Sequence, residues 1–232
     1  MDKKISIILS TYNEAHVIEK TISKIFEYLE NAEIILVDDS STDGTFEKVK
    51  KIKNPNLKVY SRHSRGLATA FLLGLINSSG EVVGWIDSNL DSLVKHLPEM
   101  VNKLSTNDIV LLSRYVEGGK DNRRKLRSFS SKIINFFCRI FLSSKIKDYT
   151  SGIFVMKRDT LRSVVPIAYG HGEFFIEFLH NANKKGLKIF ELPCVQPPDQ
   201  ETMSKTAPNI YRFIKIGFFY FVRIFQSKLN RW

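Results

Sequence analysis

Two adjacent carboxylates near the start of the sequence are placed where they could bind a ligand. The apolar run 33–37 is typical of a buried strand, and Asp38 and Asp39 follow it directly in the segment VDDSSTDGT. Because burying unpaired charge is costly, these side chains are expected to face a ligand, a cation or water. Carboxylates at the end of a strand can accept hydrogen bonds from ribose hydroxyls and base N–H groups. A turn that caps the next helix explains Asp43 or Ser41 but does not require Asp38 and Asp39.

The elements that must position these carboxylates alternate between strand and helix. Short apolar runs predict strands at 5–9, 33–37, 57–60, 82–86, 108–113, 153–156 and 188–192. Helical spacing of apolar residues predicts helices at 18–29, 45–52, 67–76, 93–104, 123–142, 173–185 and 207–229. The sequence therefore predicts an α/β fold, a Rossmann-like and mostly parallel sheet flanked by helices, with its site at the carboxyl ends of the strands.

The chain carries a formal net charge of +11, which predicts an anionic partner such as nucleic acid, phospholipid head groups or phosphorylated small molecules. The positive charge concentrates in two stretches, 120–147 and 205–231, and both are rich in phenylalanine. Phenylalanine interleaved with lysine and arginine fits a membrane surface better than a nucleic-acid groove, so no nucleic acid partner is expected. The alternative is that these aromatic side chains pack into a core or a dimer interface.

The longest uncharged run of the last predicted helix is too short to cross a bilayer. This run, 216–222, would be about 10 Å long against a hydrocarbon core of roughly 30 Å. Two amphipathic interfacial helices are expected instead, one at about 123–142 within a domain at 1–205 and one in a C-terminal membrane-surface segment at 206–232. The spacing of Cys138 and Cys194 predicts no disulfide, and the N-terminal apolar run is too short for a signal peptide. We therefore expect the protein to lie at the cytoplasmic face of a membrane, without a transmembrane span.

A set of motifs in a fixed order is more specific than any one of them. The motifs are STYNE at 10–14, VDDSSTDGT at 37–45, DSNLD at 87–91, SRYVEGG at 113–119, DYTSG at 148–152 and SK at 204–205. This set resembles inverting family-two glycosyltransferases with the GT-A fold, and within them the dolichyl-phosphate mannosyltransferase and polyprenyl-phosphate glycosyltransferase branch. The likeness extends over nearly the whole chain.

The resemblance implies a donor site for a GDP- or UDP-linked hexose with a divalent cation, Mg²⁺ or Mn²⁺. The residues implied to hold the nucleoside are Tyr12, Glu14, Val37 and Asp39, with Ser10 standing where the family usually has proline. The implied metal ligands are Asp87, Asn89 and Asp91, with Ser88 beside them in the donor site. Asn89 removes one charge from the usual pattern, and Asp91 is expected to restore it. The alternative for this cluster is a solvated turn that caps a helix.

The residues that the resemblance implies for phosphate binding are Arg114, Arg127, Ser131 and Lys205. Arg127 and Ser131 are four apart, so on a helix they would share one face and could hold one phosphate together. The alternative for Arg127 is a charge that faces lipid. Where relatives carry arginine six residues before the lysine of the SK motif, this chain has Asp199. The residues implied for catalysis are Asp87, Asp91, Arg114, Arg127 and Ser131.

The implied reaction moves mannose or glucose to a polyprenyl phosphate. A phosphate monoester has a second pKa of about 6, so its oxygen needs no general base at neutral pH. A second hypothesis keeps the fold but takes a glycan or lipid hydroxyl as acceptor, which would require Glu173 or Glu177 as base. A third is a catalytically weakened membrane-associated partner protein, suggested by the departures at Ser10, Asn89 and Asp199. A separate membrane subunit is a further candidate partner, while kinase and dehydrogenase motifs do not occur.

Overall fold

The computed structural model describes residues 3–199 and 209–229, and it contains nine strands and seven α-helices in this part of the chain. The strands are β1 Ile5–Thr11, β2 Glu33–Asp38, β3 Leu57–Ser61, β4 Val82–Asp87, β5 Ile109–Ser113, β6 Lys120–Asp121, β7 Ile153–Lys157, β8 Ile189–Pro193 and β9 Val195–Gln196. The helices are α1 Ile18–Tyr28, α2 Thr45–Lys50, α3 Leu67–Ile76, α4 Leu97–Lys103, α5 Lys125–Phe141, α6 Glu173–Lys184 and α7 Ile210–Leu229.

Seven strands form one sheet in the order β3-β2-β1-β4-β7-β5-β8, and β6 pairs separately with β9. Neighbours in the large sheet run parallel, except that β7 is antiparallel to both β4 and β5. β1 lies between β2 and β4, and its Ser10 is paired with both Val37 and Asp87. The carboxyl ends of these three strands therefore meet at one edge, where the strand order reverses and α/β sheets usually bind ligands.

Helices cover both faces of the sheet, as the alternating pattern predicts. α1 and α4 pack on one face, and α3, α5 and α6 pack on the other. The second face contains an aromatic cluster in which Phe71 lies 5.3 Å from Trp85 and Phe154 lies 4.4 Å from Phe175, measured between ring centroids. Much of the phenylalanine content therefore belongs to the core of the domain and not to its surface.

The two basic, aromatic helices pack against each other along one side. The ring of Phe137 on α5 lies 4.9 Å from Phe221 on α7, and Phe141 lies 5.0 Å from Phe225. Their other sides leave large apolar side chains exposed. Among the described residues, no helix is long and apolar enough to cross a membrane. The segment 200–208, which contains the predicted boundary at 205/206, lies outside the described residues.

The predicted helix at 93–104 is divided in the structure. A 3-10 helix, Asp91–His96, leads into α4, whose first turn contains Pro98. Proline has no backbone N–H to donate to the preceding turn, so it is tolerated in the first turn of a new helix but not inside a continuous one. The short β6 and β9 strands were not predicted, because two-residue strands carry no periodic pattern. The predicted α/β fold with a mostly parallel sheet is confirmed.

Candidate active site

A cleft of about 230 Å³ opens at the carboxyl ends of β1, β2 and β4. It is lined by the sequence-predicted residues Ser10, Tyr12, Glu14, Asp39, Asp87, Ser88, Asn89, Arg114 and Arg127. Further lining residues that were not predicted include Thr11, Arg65, Gly66, Arg123, Thr150, Gly152, His171 and Asp199. We call Thr11, Tyr12, Asp39 and Arg65 the acid–aromatic group, and Arg114, Arg123 and Arg127 the arginine group. Parallel strands thus bring motifs that are far apart in sequence to one site.

The acid–aromatic group combines a flat ring with polar atoms. The guanidinium carbon of Arg65 lies 3.6 Å from the centroid of the Tyr12 ring, a cation–π contact at the edge of the cleft. Thr11 Oγ1 is buried and has no hydrogen-bond partner among the described residues. A buried hydroxyl without a partner is costly unless a ligand or water satisfies it. This part of the cleft therefore has a stacking surface and a polar atom suited to a planar heterocycle.

Asp39 is held rigidly at the end of β2. Its carboxylate accepts hydrogen bonds from Arg62 Nε at 2.5 Å and Arg62 Nη2 at 2.9 Å, and from the backbone N–H of Gly66 at 3.0 Å. A carboxylate has about four acceptor positions, so Asp39 keeps acceptor capacity for a ligand. Arg62 follows β3 in a segment without a recognisable motif, so it was not predicted as a site residue.

Asp38 has a different role from its neighbour. Its side chain accepts hydrogen bonds from the backbone N–H of Ser41 at 2.9 Å and from the Ser41 hydroxyl at 2.5 Å. Asp38 is buried and therefore stabilises the turn after β2, so the expectation that both carboxylates face a ligand, a cation or water was wrong for this residue. Val37, which the resemblance implies for nucleoside binding, is fully buried in the core cluster that contains α3, and it is not among the residues that line the cleft.

Asp87 ends β4 in the middle of the cleft. Burial raises the pKa of its carboxyl to about 6, and a hydrogen bond from Trp85 and the nearby Arg127 offset only part of this effect. The carboxylate also lies against Gly152 of the DYTSG motif, where a Cβ atom would be 2.4 Å from Asp87 Oδ2. Only glycine leaves room for the carboxylate here. The anionic form of Asp87 is poorly compensated by the protein, which is the situation that a bound cation would relieve.

The residues present fit a cation that shares its coordination with a substrate. Among the described residues no group of three or more histidine, cysteine or acidic side chains is arranged for a metal. Asp87, Ser88 and Asn89 nevertheless line the cleft together. Mg²⁺ and similar ions commonly bind one or two carboxylates and take the remaining ligands from phosphate oxygens and water.

Asp91 does not join this site. Its carboxylate is buried and lies 2.8 Å from Lys24 Nζ and 3.0 Å from Lys20 Nζ, both on α1. These two lysines hold its pKa below the usual value even though burial opposes this. Asp91 does not line the cleft, so the structure does not bring it together with Asp87 and Asn89; its contacts instead fix α1 to the turn after β4.

The arginine group is built on a buried ion pair. Arg114 Nε and Nη2 donate to Asp148 at 2.8 and 2.7 Å, and Nη2 also donates to Thr150. The negative charge of Asp148 keeps the pKa of Arg114 above its usual value despite burial. Arg123 pairs with Asp121 at 2.7 Å, and its Nη2 also donates to the Ser131 hydroxyl at 2.9 Å.

Arg127 and Ser131 are not brought together as predicted. Arg127 lines the cleft and pairs with Asp199, whereas Ser131 accepts its hydrogen bond from Arg123 and does not line the cleft. The two side chains therefore have different partners in this structure, and only Arg127 lies at the cleft. Lys205 lies outside the described residues.

The two candidate bases are engaged elsewhere. Glu177 is buried and binds Arg223 on α7, with 2.9 Å between Oε2 and Nη1. Glu173 is buried at the start of α6, and its Oε2 accepts a hydrogen bond from the backbone N–H of His171. Neither carboxylate is among the lining residues of the cleft.

A residue of α7 comes close to the back of the cleft. The hydroxyl of Tyr220 would lie 2.3 Å from a Cβ atom at Gly172, so that glycine makes room for it. Burial, with smaller contributions from the charges of Glu173 and Asp87, raises the pKa of Tyr220 and keeps its hydroxyl protonated. α7 is therefore packed against the loop that carries His171. This contact was not predicted from the sequence.

Comparison with known proteins identifies the group to which the chain is similar. The family model described as glycosyl transferase family 2 matches residues 6–165. The chain is 35% identical over 204 residues to a dolichol-phosphate mannosyltransferase of Pyrococcus furiosus, covering 82% of this chain and 55% of the relative. It is 27% identical over 203 residues to an undecaprenyl-phosphate mannosyltransferase of Micrococcus luteus, covering 82% of each. The chain thus spans about half the length of the Pyrococcus relative.

Solved structures show the same architecture. The glucosyl-3-phosphoglycerate synthase of Mycobacterium tuberculosis, solved with Mn²⁺, UDP-glucose and phosphoglyceric acid, superposes with a TM-score of 0.75 at 19% identity. The superposition covers 97% of this chain and 80% of that one, and it confirms the predicted GT-A fold. The family model matches more than half of the sequence, and the resemblance in the ordered motifs agrees with it. The chain therefore belongs to glycosyl transferase family 2.

Proposed function

We propose that this chain is an inverting glycosyltransferase that moves a hexose, mannose or glucose, from a GDP- or UDP-linked donor to a polyprenyl phosphate such as dolichyl phosphate. We place the reaction at the cytoplasmic face of a membrane. The observation that carries the proposal is the composition of one cleft, where Asp39 and Asp87 lie together with the arginine group. The names of the Pyrococcus and Micrococcus relatives support a polyprenyl phosphate acceptor and favour mannose.

The donor would bind between the acid–aromatic group and Asp87. Tyr12 offers a surface for the base, while Thr11 and Asp39 offer polar atoms to the nucleoside. Asp87, with Ser88 and Asn89 beside it, would hold Mg²⁺ or Mn²⁺ next to the diphosphate. When bound, the cation would neutralise charge that develops on the departing nucleoside diphosphate.

The acceptor phosphate would bind at the arginine group. A phosphomonoester is anionic at neutral pH, because its second pKa is about 6, so it can attack the anomeric carbon directly and invert its configuration. Arg127 and Arg123 line the cleft and can orient the phosphate. The two carboxylates named as bases for a hydroxyl acceptor, Glu173 and Glu177, do not line the cleft, and the arginine group suits an anionic acceptor.

The outer sides of α5 and α7 fit a membrane surface. Exposed apolar residues recur along both helices: Leu126, Phe129, Phe136 and Ile140 on α5, and Tyr211, Ile214, Phe218 and Leu229 on α7. Neither helix contains an acidic residue, while each carries several lysines and arginines. Such a surface binds anionic lipid through apolar contact and through roughly 1 kcal/mol for each basic residue near the head groups. It would place the arginine group beside a membrane-bound acceptor.

The test is transfer of labelled sugar by the purified protein to vesicles that contain polyprenyl phosphate. GDP-mannose, GDP-glucose, UDP-mannose and UDP-glucose are compared, each with Mn²⁺ and with a chelator. The proposal expects labelled lipid with one donor and its loss with the chelator. No labelled lipid with any donor, together with absence of donor binding by calorimetry, would favour a catalytically weakened partner protein.

A hydroxyl acceptor is tested separately with the two carboxylates. Glu177→Gln and Glu173→Gln should keep turnover if the acceptor is a phosphate, because neither residue would act as a base. Loss of turnover in either variant with unchanged donor binding and an unchanged melting temperature would favour the hydroxyl acceptor.

A further inference from the structure

The loop after β9 places an acidic side chain where the anionic acceptor is proposed to bind. Asp199 lines the cleft, and only 6% of its side chain is exposed. Its Oδ2 accepts a hydrogen bond from the backbone N–H of Arg124 at 2.9 Å, and its Oδ1 accepts one from Nη1 of Arg127. One carboxylate therefore bonds to a backbone donor and to a guanidinium at the same time.

These two donors form an anion site. Arg124 directly precedes the first residue of α5, a helix of 17 residues, and Arg127 lies in the first turn of this helix. The N–H groups at a helix start have no partner within the helix, and together with the helix dipole they attract anions. An added arginine in the same turn makes this a site for a phosphate. Asp199, a residue from another part of the chain, provides the anion in the structure.

We propose that Asp199 is an internal competitor of the acceptor phosphate, which binds by displacing the Asp199 carboxylate from Arg124 and Arg127. The inference rests on the proposed function. A phosphomonoester carries between one and two negative charges at neutral pH, so it can replace the single charge of a carboxylate. Free inorganic phosphate must displace the same carboxylate without the help of a membrane anchor. Asp199 therefore protects the site from small anions while a lipid-bound phosphate, concentrated at the surface, can enter.

The exposure of Arg127 makes this exchange feasible. The Arg127 side chain is 40% exposed, so it stays in contact with water when its partner leaves. Asp121 and Asp148, the other acids of the arginine group, are almost fully buried with their arginines. Removing Asp121 or Asp148 would leave the positive charge of its arginine partner uncompensated in the interior. Among these three pairs, the one with Asp199 is suited to open.

The test compares Asp199→Asn with the wild type by calorimetry, using inorganic phosphate and farnesyl phosphate as separate probes. Asparagine keeps an oxygen that can cap Arg124, so α5 is expected to remain intact, and the melting temperature checks this. Removing the competing charge should tighten binding of both probes about tenfold, the size of one charge-assisted hydrogen bond. Asp159→Asn is the matched control, because it makes the same charge change on an exposed surface and should change nothing.

A second arm tests the role of Arg127. The gain from Asp199→Asn should disappear in a background with Arg127→Ala, because the freed donor is then absent. Binding that stays unchanged or weakens in Asp199→Asn would overturn the inference and would assign Asp199 to positioning Arg127. A gain that survives without Arg127 would overturn it as well. If the wild type transfers no sugar but Asp199→Asn binds both probes more tightly than the wild type, the proposed function fails while the competition by Asp199 stands.

Discussion

The floor and the rim of the cleft both contain an arginine–carboxylate pair, but the pairs differ in burial. At the floor, the side chains of Arg114 and Asp148 are 4% and 0% exposed, and Thr150 satisfies further donors. At the rim, the side chain of Arg127 is 40% exposed, while that of its partner Asp199, on a loop, is 6% exposed. A buried pair cannot separate without leaving an uncompensated charge, whereas an exposed arginine can exchange partners. The floor pair therefore holds Arg114 in a fixed position at the cleft, and the rim pair is the one that can exchange partners when a ligand binds.

The buried Arg114–Asp148 pair at the floor should be essential for the stability of the fold. Asp148→Asn removes the negative charge and leaves Arg114 buried without it, so the free energy of unfolding should fall by about 3–5 kcal/mol. Urea denaturation measures this. Asp159→Asn is the control, because its pair with Arg162 is exposed on both sides and should not contribute measurably. A loss below about 1 kcal/mol in Asp148→Asn would place the floor pair in the same class as a surface pair.

A substitution of Arg127 at the rim should lower activity and leave the stability of the fold unchanged. Arg127→Ala is expected to lower kcat/KM for polyprenyl phosphate about 100-fold, the size of losing one group that stabilises charge in an active site. Its melting temperature should match that of the wild type, since the side chain is not part of the core. Equal kcat/KM in the variant would remove Arg127 from the acceptor site, and a lower melting temperature would move it to the scaffold.

The same difference explains how much of the site the sequence could predict. The alternation of strands and helices determines which strand ends meet, so Asp39 and Asp87 were correctly expected at one edge. Side-chain directions in the turns depend on distant partners instead. Asp91 turns toward Lys24, which is 67 residues away, and Arg127 toward Asp199, which is 72 residues away. No local spacing or motif contains such pairs, so the sequence could not predict that Asp91 lies outside the cleft.

The outer side of α5, the helix that carries Arg127, is part of the proposed membrane-binding surface. Phe129 and Phe136 are exposed, so replacing both with serine should leave the melting temperature unchanged and lower binding to anionic vesicles by about tenfold or more. Sedimentation with vesicles measures the bound fraction. The control is Tyr28→Ser, since this exposed aromatic residue lies on α1, which packs on the opposite face of the sheet. Equal loss in the control would mean that binding does not depend on α5.

The smallest expected effect concerns a carboxylate at the other end of the sheet. Glu33 begins β2 and accepts hydrogen bonds from Lys58, Ser6 and Ser79. Burial alone would raise its pKa, but these contacts outweigh burial and lower the pKa from 4.5 to about 2. Because the folded state has the lower pKa, its contribution to stability is complete above about pH 4.5 and disappears as the pH falls toward 2.

We expect this carboxylate to account for a loss of about 1–2 kcal/mol in the free energy of unfolding between pH 6 and pH 2.5, since the exposure of Lys58 to solvent weakens the pair. Glu33→Gln should lack this part of the pH dependence, and denaturant unfolding at the two pH values measures it. If the variant loses as much stability on acidification as the wild type, Glu33 is not the group that titrates. The scaffold would then owe its acid sensitivity to the buried pairs beneath the cleft, where Asp148 too has a lowered pKa.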